Sequence, residues 1–202
     1  MATNHISPTG LFSITGLVGS AITIGTRTGR ITDLVVRPDA SDTYPDVTGY
    51  VIRLGRQTLF APAAEVTGFA ARRRTLLATV GELEPFDRHE GDVLLAADVL
   101  DRQIVDTDGI HVIRAADLYL AVIAERLRLV ALDTSVRTLI RRLGPRRLRE
   151  RPAPQRVIDW SHIEAFGRAP EVLHLCAPAT EIGPLRAGEL ATIVHDLAGA
   201  WS

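Results

Sequence analysis

Two groups of carboxylates lie close enough in sequence to hold a hard divalent cation, whose shell is built from clustered oxygen ligands. Asp39, Asp42 and Asp46 form one; Asp101, Asp106 and Asp108, ahead of Gly109, form the other. The run Asp106-x-Asp108-Gly109 concentrates acid at a turn, as a calcium loop does, but no glutamate follows to close such a loop. Asp101, Asp106 and Asp108 are therefore the candidate metal ligands, with Mg²⁺ the candidate ion. The same acids read equally well as turn residues whose carboxylates accept backbone N–H bonds. The histidines are His5, His89, His111, His162, His174 and His195. None forms the i, i+4 helical pair of a zinc enzyme. His195 with Glu189 or Asp196 would need ligands from other helices to bind a metal, and a solvated polar face explains those residues without one.

Covalent catalysis needs a Ser or Cys beside a His that an acid orients. Gly-x-Ser-x-Gly is absent, and Cys176 follows His174 by two residues, a spacing that on a strand merely shares a face. A small buried thiol accounts for Cys176. Gly16-Leu17-Val18-Gly19 and Gly25-x-x-x-Gly29 lack the Lys-Ser/Thr or Gly-x-Gly-x-x-Gly of phosphate loops and read as strand turns. No catalytic or cofactor-binding residues emerge.

The strongest surface signal is basic. All 23 basic residues are Arg, and Arg126 to Arg156 holds ten of them against Asp133 and Glu150. Arg141, Arg142, Arg146, Arg147, Arg149 and Arg151 form its centre, candidate partner-binding residues whose guanidinium forks suit phosphate or carboxylate. RNA, anionic lipid of the inner leaflet and an acidic protein face all fit that chemistry, as does a solvated loop. A net charge of -1 and 5% aromatics weigh against nucleic acid, which wants a basic field and stacking platforms.

The elements that must position these residues are mostly strands. In 202 residues, 46% are hydrophobic and 23% charged, a globular balance. Ala21 to Ile24, Ile31 to Val36, Tyr50 to Leu54 and Thr58 to Ala61 are short apolar runs cut by turn residues. The polar gap from Arg37 to Thr48 is expected to be an exposed loop. A second block echoes the first: Thr28-Gly29 ahead of Asp33-Leu34-Val35-Val36 against Asp108-Gly109 ahead of Asp117-Leu118-Tyr119-Leu120, each followed by an apolar strand, Tyr50 to Leu54 and Leu127 to Leu132. A diverged duplication is the expectation, with Gly81 to Asp92 a polar linker. Ser135 to Leu143 has helical spacing stopped by Gly144-Pro145, Val157 to Trp160 reads as a strand, and Glu189 to Leu197 as a helix with one apolar stripe. That bare stripe suggests a fragment, or a helix that meets a partner. One cysteine excludes a disulfide framework, and Leu11 to Thr26 is too short and glycine-broken to span a bilayer, so the chain reads as cytoplasmic.

Leu83-Glu84-Pro85-Phe86-Asp87-Arg88, the run from Val93 to Gly109 and Val157-Ile158-Asp159-Trp160 resemble a bacterial family of tandem PRC-barrel-like domains. In that family an MgtE-type magnesium transporter N-terminal domain, usually with CBS domains, follows the barrels. Tyr44-Pro45-Asp46-Val47-Thr48-Gly49 and Thr28-Gly29-Arg30 support the first barrel, and Leu185 to Leu197 resembles the opening helix of the MgtE-type domain. The resemblance implies a mainly β fold with two small barrel-like units in tandem, 10–80 and 90–168, and the start of a truncated helical domain at 180–202. It implies a non-catalytic cytoplasmic regulator or adaptor of Mg²⁺/Mn²⁺ transport, beside NRAMP- or MgtE-type transporters. The barrels would be docking or dimerising surfaces, peripheral to the membrane through a partner. A PRC-barrel-like domain also occurs in a ribosome-maturation factor, so an RNA-associated module acting through Arg141–Arg151 is the alternative. Leu185-Arg186-Ala187-Gly188-Glu189 stands where the family reads Leu-His-Pro-Ala-Asp, and Thr28 where the first turn usually has an acid, so contacts through those groups do not carry over.

Overall fold

The computed structural model describes residues 11–38, 43–70, 75–78, 83–100, 102–105, 112–134, 157–164, 173–175 and 192. The chain is mainly β. In order it forms β1 (Leu11–Ser13), a helical turn α1 (Ile14–Leu17), β2 (Ala21–Ile24), β3 (Arg27–Val36), β4 (Val47–Leu54), β5 (Gln57–Pro62), β6 (Val66–Ala70) and β7 (Thr75–Ala78). Then come β8 (Glu84–Pro85), β9 (Val93–Leu94), a π-helical turn Leu95–Val99, β10 (Gln103–Val105), β11 (Val112–Arg114), β12 (Asp117–Ile123) and β13 (Arg126–Asp133). β14 (Val157–Asp159), β15 (Ile163–Glu164) and β16 (Leu173–Leu175) complete it.

One set of pairings occurs twice. In the amino-terminal half β2 pairs antiparallel with β3, β3 with β4, β4 with β5 and β6 with β7, while β2 and β7 run parallel. In the carboxy-terminal half β10 pairs with β11, β12 with β13, β13 with β14 and β15 with β16, and β10 runs parallel to β16. The long strand β3 corresponds to β11 and β12 together. Where β3 slips register between Ile31 and Asp33, the second copy breaks outright at Ala115-Ala116. A bulge bends a strand, and a further break separates it into two, so the carboxy-terminal half splits into two sheets. Among the described residues the ladders run as open sheets, ending for example at β6 and β8, and not as closed barrels; that part of the expectation is corrected.

The amino-terminal arms cross over. β1 adds to β12 of the carboxy-terminal half, and β9 adds to β3 of the amino-terminal half. Each arm then turns helically and buries an aliphatic anchor, Ile14 and Leu95, both 0% exposed. A shared core results, holding Ile22, Leu34 and Ile52 from one half with Leu118, Leu129, Leu132 and Trp160 from the other, while Ala121, Ile123, Val130, Ala131 and Val157 form a second, smaller cluster in the carboxy-terminal half.

Two expectations about connections change. The described end of the 37–48 gap is not an exposed loop: Pro45 is buried, its carbonyl accepts the Leu129 amide at 3.0 Å, and Val47 and Thr48 already belong to β4. The 81–92 linker carries β8, which pairs with β5. Of the expected strand at 157–160, Val157–Asp159 form β14 and Trp160 opens a 3-10 turn. The expected helix at 135–143 lies outside the described residues, as does 189–197 apart from Thr192, which is helical. Turn chemistry is uneven between halves: the β2–β3 and β4–β5 turns use Gly25 (φ 58°) and Gly55 (φ 62°), whereas the β12–β13 turn places Ala124 (φ 48°) and Glu125 (φ 63°) in the left-handed region.

Candidate functional site

The polar groups with the most developed geometry sit where the arms cross. Asp117 opens β12 and is fully buried. Its carboxylate accepts the Thr15 amide at 3.1 Å, the Thr15 hydroxyl at 2.7 Å, the Ser13 hydroxyl at 2.5 Å and the Leu118 amide at 2.8 Å. Ser13 is also the N-cap of α1, its Oγ accepting the Gly16 amide. An N-terminal turn presents unpaired N–H groups, and a carboxylate facing them satisfies both hydrogen bonding and the local dipole. Asp33 does the same for the other arm. It accepts the Ala96 amide at 2.7 Å, the Ala97 amide at 3.0 Å and its neighbour Leu34 at 2.8 Å. The two acids are the equivalent residues of the echoed sequence blocks, and each caps the helical turn that leads into the other half.

Around the Asp33 clasp stands a rim of ion pairs. Arg37 reaches buried Asp92 at 2.7 Å, and Asp92 also accepts the His89 amide at 3.0 Å. Arg88 pairs with Asp98 at 2.6 Å, and Asp98 accepts the Leu94 amide at 2.8 Å. Around the other half, Asp46 pairs with Arg126 and Arg128, each at 2.8 Å, and the Tyr44 hydroxyl donates to Asp159 at 3.0 Å. Burial pushes the Asp33 carboxyl above its usual range, against its three backbone amides, with the Asp98 charge adding to the rise. Burial also acts upward on Asp92, but the Arg37 hydrogen bond, the His89 amide and the Arg37 charge outweigh it and hold Asp92 low. Burial, then the Asp159 charge, push Tyr44 up to about 12.

Chemically this is a structural arrangement. The hydroxyls of Ser13 and Thr15 donate to a carboxylate with no imidazole between, so neither is set up as a nucleophile. Asp33 and Asp117 spend their oxygens on N–H and O–H donors of the protein.

The sequence candidates distribute as follows. Asp101, Asp106 and Asp108 lie outside the described residues, as do Arg141, Arg142, Arg146, Arg147, Arg149 and Arg151, and also Asp39, Asp42, His5, His111, Cys176, Glu189, His195 and Asp196. Asp46 is drawn into pairing with two arginines. His89 is exposed, its Nδ1 3.4 Å from Asp92, and His162 is exposed. The backbone of His174 lies in β16. Among the described residues no group of three or more His, Cys, Asp or Glu is arranged to hold a metal ion. Sequence reasoning marked Asp33 and Asp117 as repeat positions and missed their capping role; the signal was their shared Asp-Leu step.

No protein-family model matches the chain, and no curated protein matches it. Among the described residues no helix is long and apolar enough to cross a membrane.

Proposed function

We propose that the chain is a non-catalytic docking and regulatory module of tandem PRC-barrel-like type, serving divalent cation (Mg²⁺/Mn²⁺) transport in the cytoplasm. The observation that supports the non-catalytic part is the clasp: the buried carboxylates Asp33 and Asp117 of the two halves are committed to holding arms together, so that among the described residues surfaces are the working parts. The transport link rests on the resemblance of 83–109 and 157–160 to that family, and the repeated strand pairing is what a tandem of like units requires. In this reading Asp101, Asp106 and Asp108 hold Mg²⁺ or Mn²⁺, and the halves dock on a transporter or on a second copy.

The test is twofold. Calorimetric titration with Mg²⁺ and Mn²⁺, with Ca²⁺ as control, is repeated after Asp101, Asp106 and Asp108 are changed to Asn; saturable heat lost in the variant puts a sensor in this chain. Deleting the chain in its host is expected to change cellular Mg²⁺ or Mn²⁺ content by elemental mass spectrometry. Unchanged content under both cation limitation and excess contradicts the transport reading.

A further inference from the structure

Four arginines widely spaced in sequence meet at one end of the amino-terminal sheet. β3 and β4 are antiparallel, so the β2–β3 and β4–β5 turns lie at the same end of the ladder. Arg27 follows the first turn, Arg56 sits in the second, and Arg30 and Arg53 are direct cross-strand partners. All four are exposed, and exposed Thr28, Gln57 and Thr58 lie among them. The register puts Ala21, Arg30, Arg53 and Thr58 in one row across four strands.

The arginines outnumber the acids at this end, where Asp87 follows Phe86, whose amide donates to the Thr58 carbonyl, and Glu65 precedes Val66, which the ladders place in the row of Ala78, Ile24 and Arg27. Within the strands β2 to β7 the one acid is Asp33, which is buried midway along β3 and committed to the clasp. Arg30 donates to the Gly19 carbonyl at 2.9 Å, and among the described residues Arg27, Arg30, Arg53 and Arg56 make no ion pair. By contrast, Arg37, Arg88, Arg126 and Arg128 are all paired. Like charges directly opposite on a sheet are destabilising, and a fold that keeps such a pair marks a place where something other than stability is served.

We propose that this Arg27/Arg30/Arg53/Arg56 sheet end docks the chain on an anionic lipid bilayer, its guanidinium groups spread over headgroup phosphates. Charge complementarity and shape favour a bilayer over nucleic acid. Two short turns side by side form a blunt edge on which guanidinium donors outnumber carboxylates, matching a planar phosphate array. Among the described residues no helix protrudes there to enter a groove, and no exposed aromatic side chain lies beside these arginines to stack bases. The paired carboxylates Asp46 and Asp92 adjoin the Val36 end of β3, so the excess of positive charge lies at the turn end and orients the sheet on an anionic plane. The surface is distinct from the Arg141–Arg151 segment and stands whether or not the chain serves cation transport.

The experiment is co-sedimentation of the full chain with vesicles of phosphatidylcholine, alone or doped with phosphatidylglycerol. Binding is expected only to the doped vesicles and is expected to vanish at high salt. Each arginine near an anionic surface contributes about fivefold in affinity, so the double variant Arg30→Gln/Arg53→Gln is expected to bind about 25-fold more weakly. Its thermal melt should match or slightly exceed that of the parent, which separates lost docking from lost folding. A variant with Arg141, Arg142, Arg146, Arg147, Arg149 and Arg151 changed to Gln is the comparator. Vesicle binding unchanged in Arg30→Gln/Arg53→Gln overturns the proposal, and so does binding to duplex RNA with indifference to doped vesicles.

Discussion

The two halves share one order of strand pairing and spend their insertions in different places. The amino-terminal half closes β4 to β5 with Gly55-Arg56 and puts its long connection between β3 and β4, where Tyr44, Pro45 and Asp46 lie against β13 and β14 of the other half. The carboxy-terminal half does the reverse. It turns from β12 to β13 in two residues, Ala124 and Glu125, and carries its long, arginine-rich connection between β13 and β14. The elements that hold the halves together are kept in both: a crossing arm, a helical turn, an aliphatic anchor and a capping aspartate. The parts that differ are loops and hairpin ends, where docking specificity can change without disturbing the clasp.

Removing the anchors should break this pairing most severely. Ile14→Ala and Leu95→Ala each empty a fully buried site and are expected to cost about 3 kcal/mol in denaturant unfolding. Similar costs from both would confirm that the arms are equivalent; a small cost from one would show that its arm is an appendage. The caps come next. Asp117→Ala strips four donors, including two hydroxyls, and is expected to cost about 3 kcal/mol, against about 2 kcal/mol for Asp33→Ala, which strips three amides.

Acid separates the clasp from its rim. Asp92 is held below 3.8 in the folded state, so its contribution is complete above about pH 4 and is lost as pH falls through its folded value. Asp33 is raised above 3.8, so its ionisation works against folding, and stability falls as pH rises through its folded value. Asp92→Asn should therefore flatten the loss of stability on acidification below about pH 4, and Asp33→Asn should remove a decline above it, as read from denaturation midpoints between about pH 3 and 7. The smallest effect is a gain: Glu125→Gly relieves a left-handed side chain at φ 63° and should add about 1 kcal/mol. No gain would mean that the turn's strain is compensated by its neighbours.

Much of the β character was legible because apolar runs betray strands locally. Ile31 to Val36, Tyr50 to Leu54, Leu127 to Leu132 and Val157 to Asp159 all lie within strands. The Asp-Leu echo at Asp33 and Asp117 was legible as a repeat. Its purpose was not, because the atoms that Asp117 caps stand 102 and 104 residues away, and no local pattern records which arm pairs with which sheet. The arginine cluster was hidden for the same reason: Arg30 and Arg53 are ordinary singletons until the β3–β4 register sets them opposite, whereas the contiguous run at 141–151 draws the eye. The Tyr44–Asp46 contact was equally invisible, since a polar gap rich in Asp and Pro reads as a loop whether it is solvated or docked.

If the crossing arms make the two halves one cooperative body, both must unfold together. The decisive measurement is a denaturant titration of the full chain, followed by Trp160 fluorescence in a Trp201→Phe background for one half and by hydrogen-exchange protection of residues 47–62 for the other. The reciprocal clasp predicts a single midpoint shared by both signals, moved equally by Asp33→Ala and Asp117→Ala when scaled to their costs. Loss of protection at 47–62 while Trp160 keeps its native emission would contradict it and leave two independently folded halves joined by a linker.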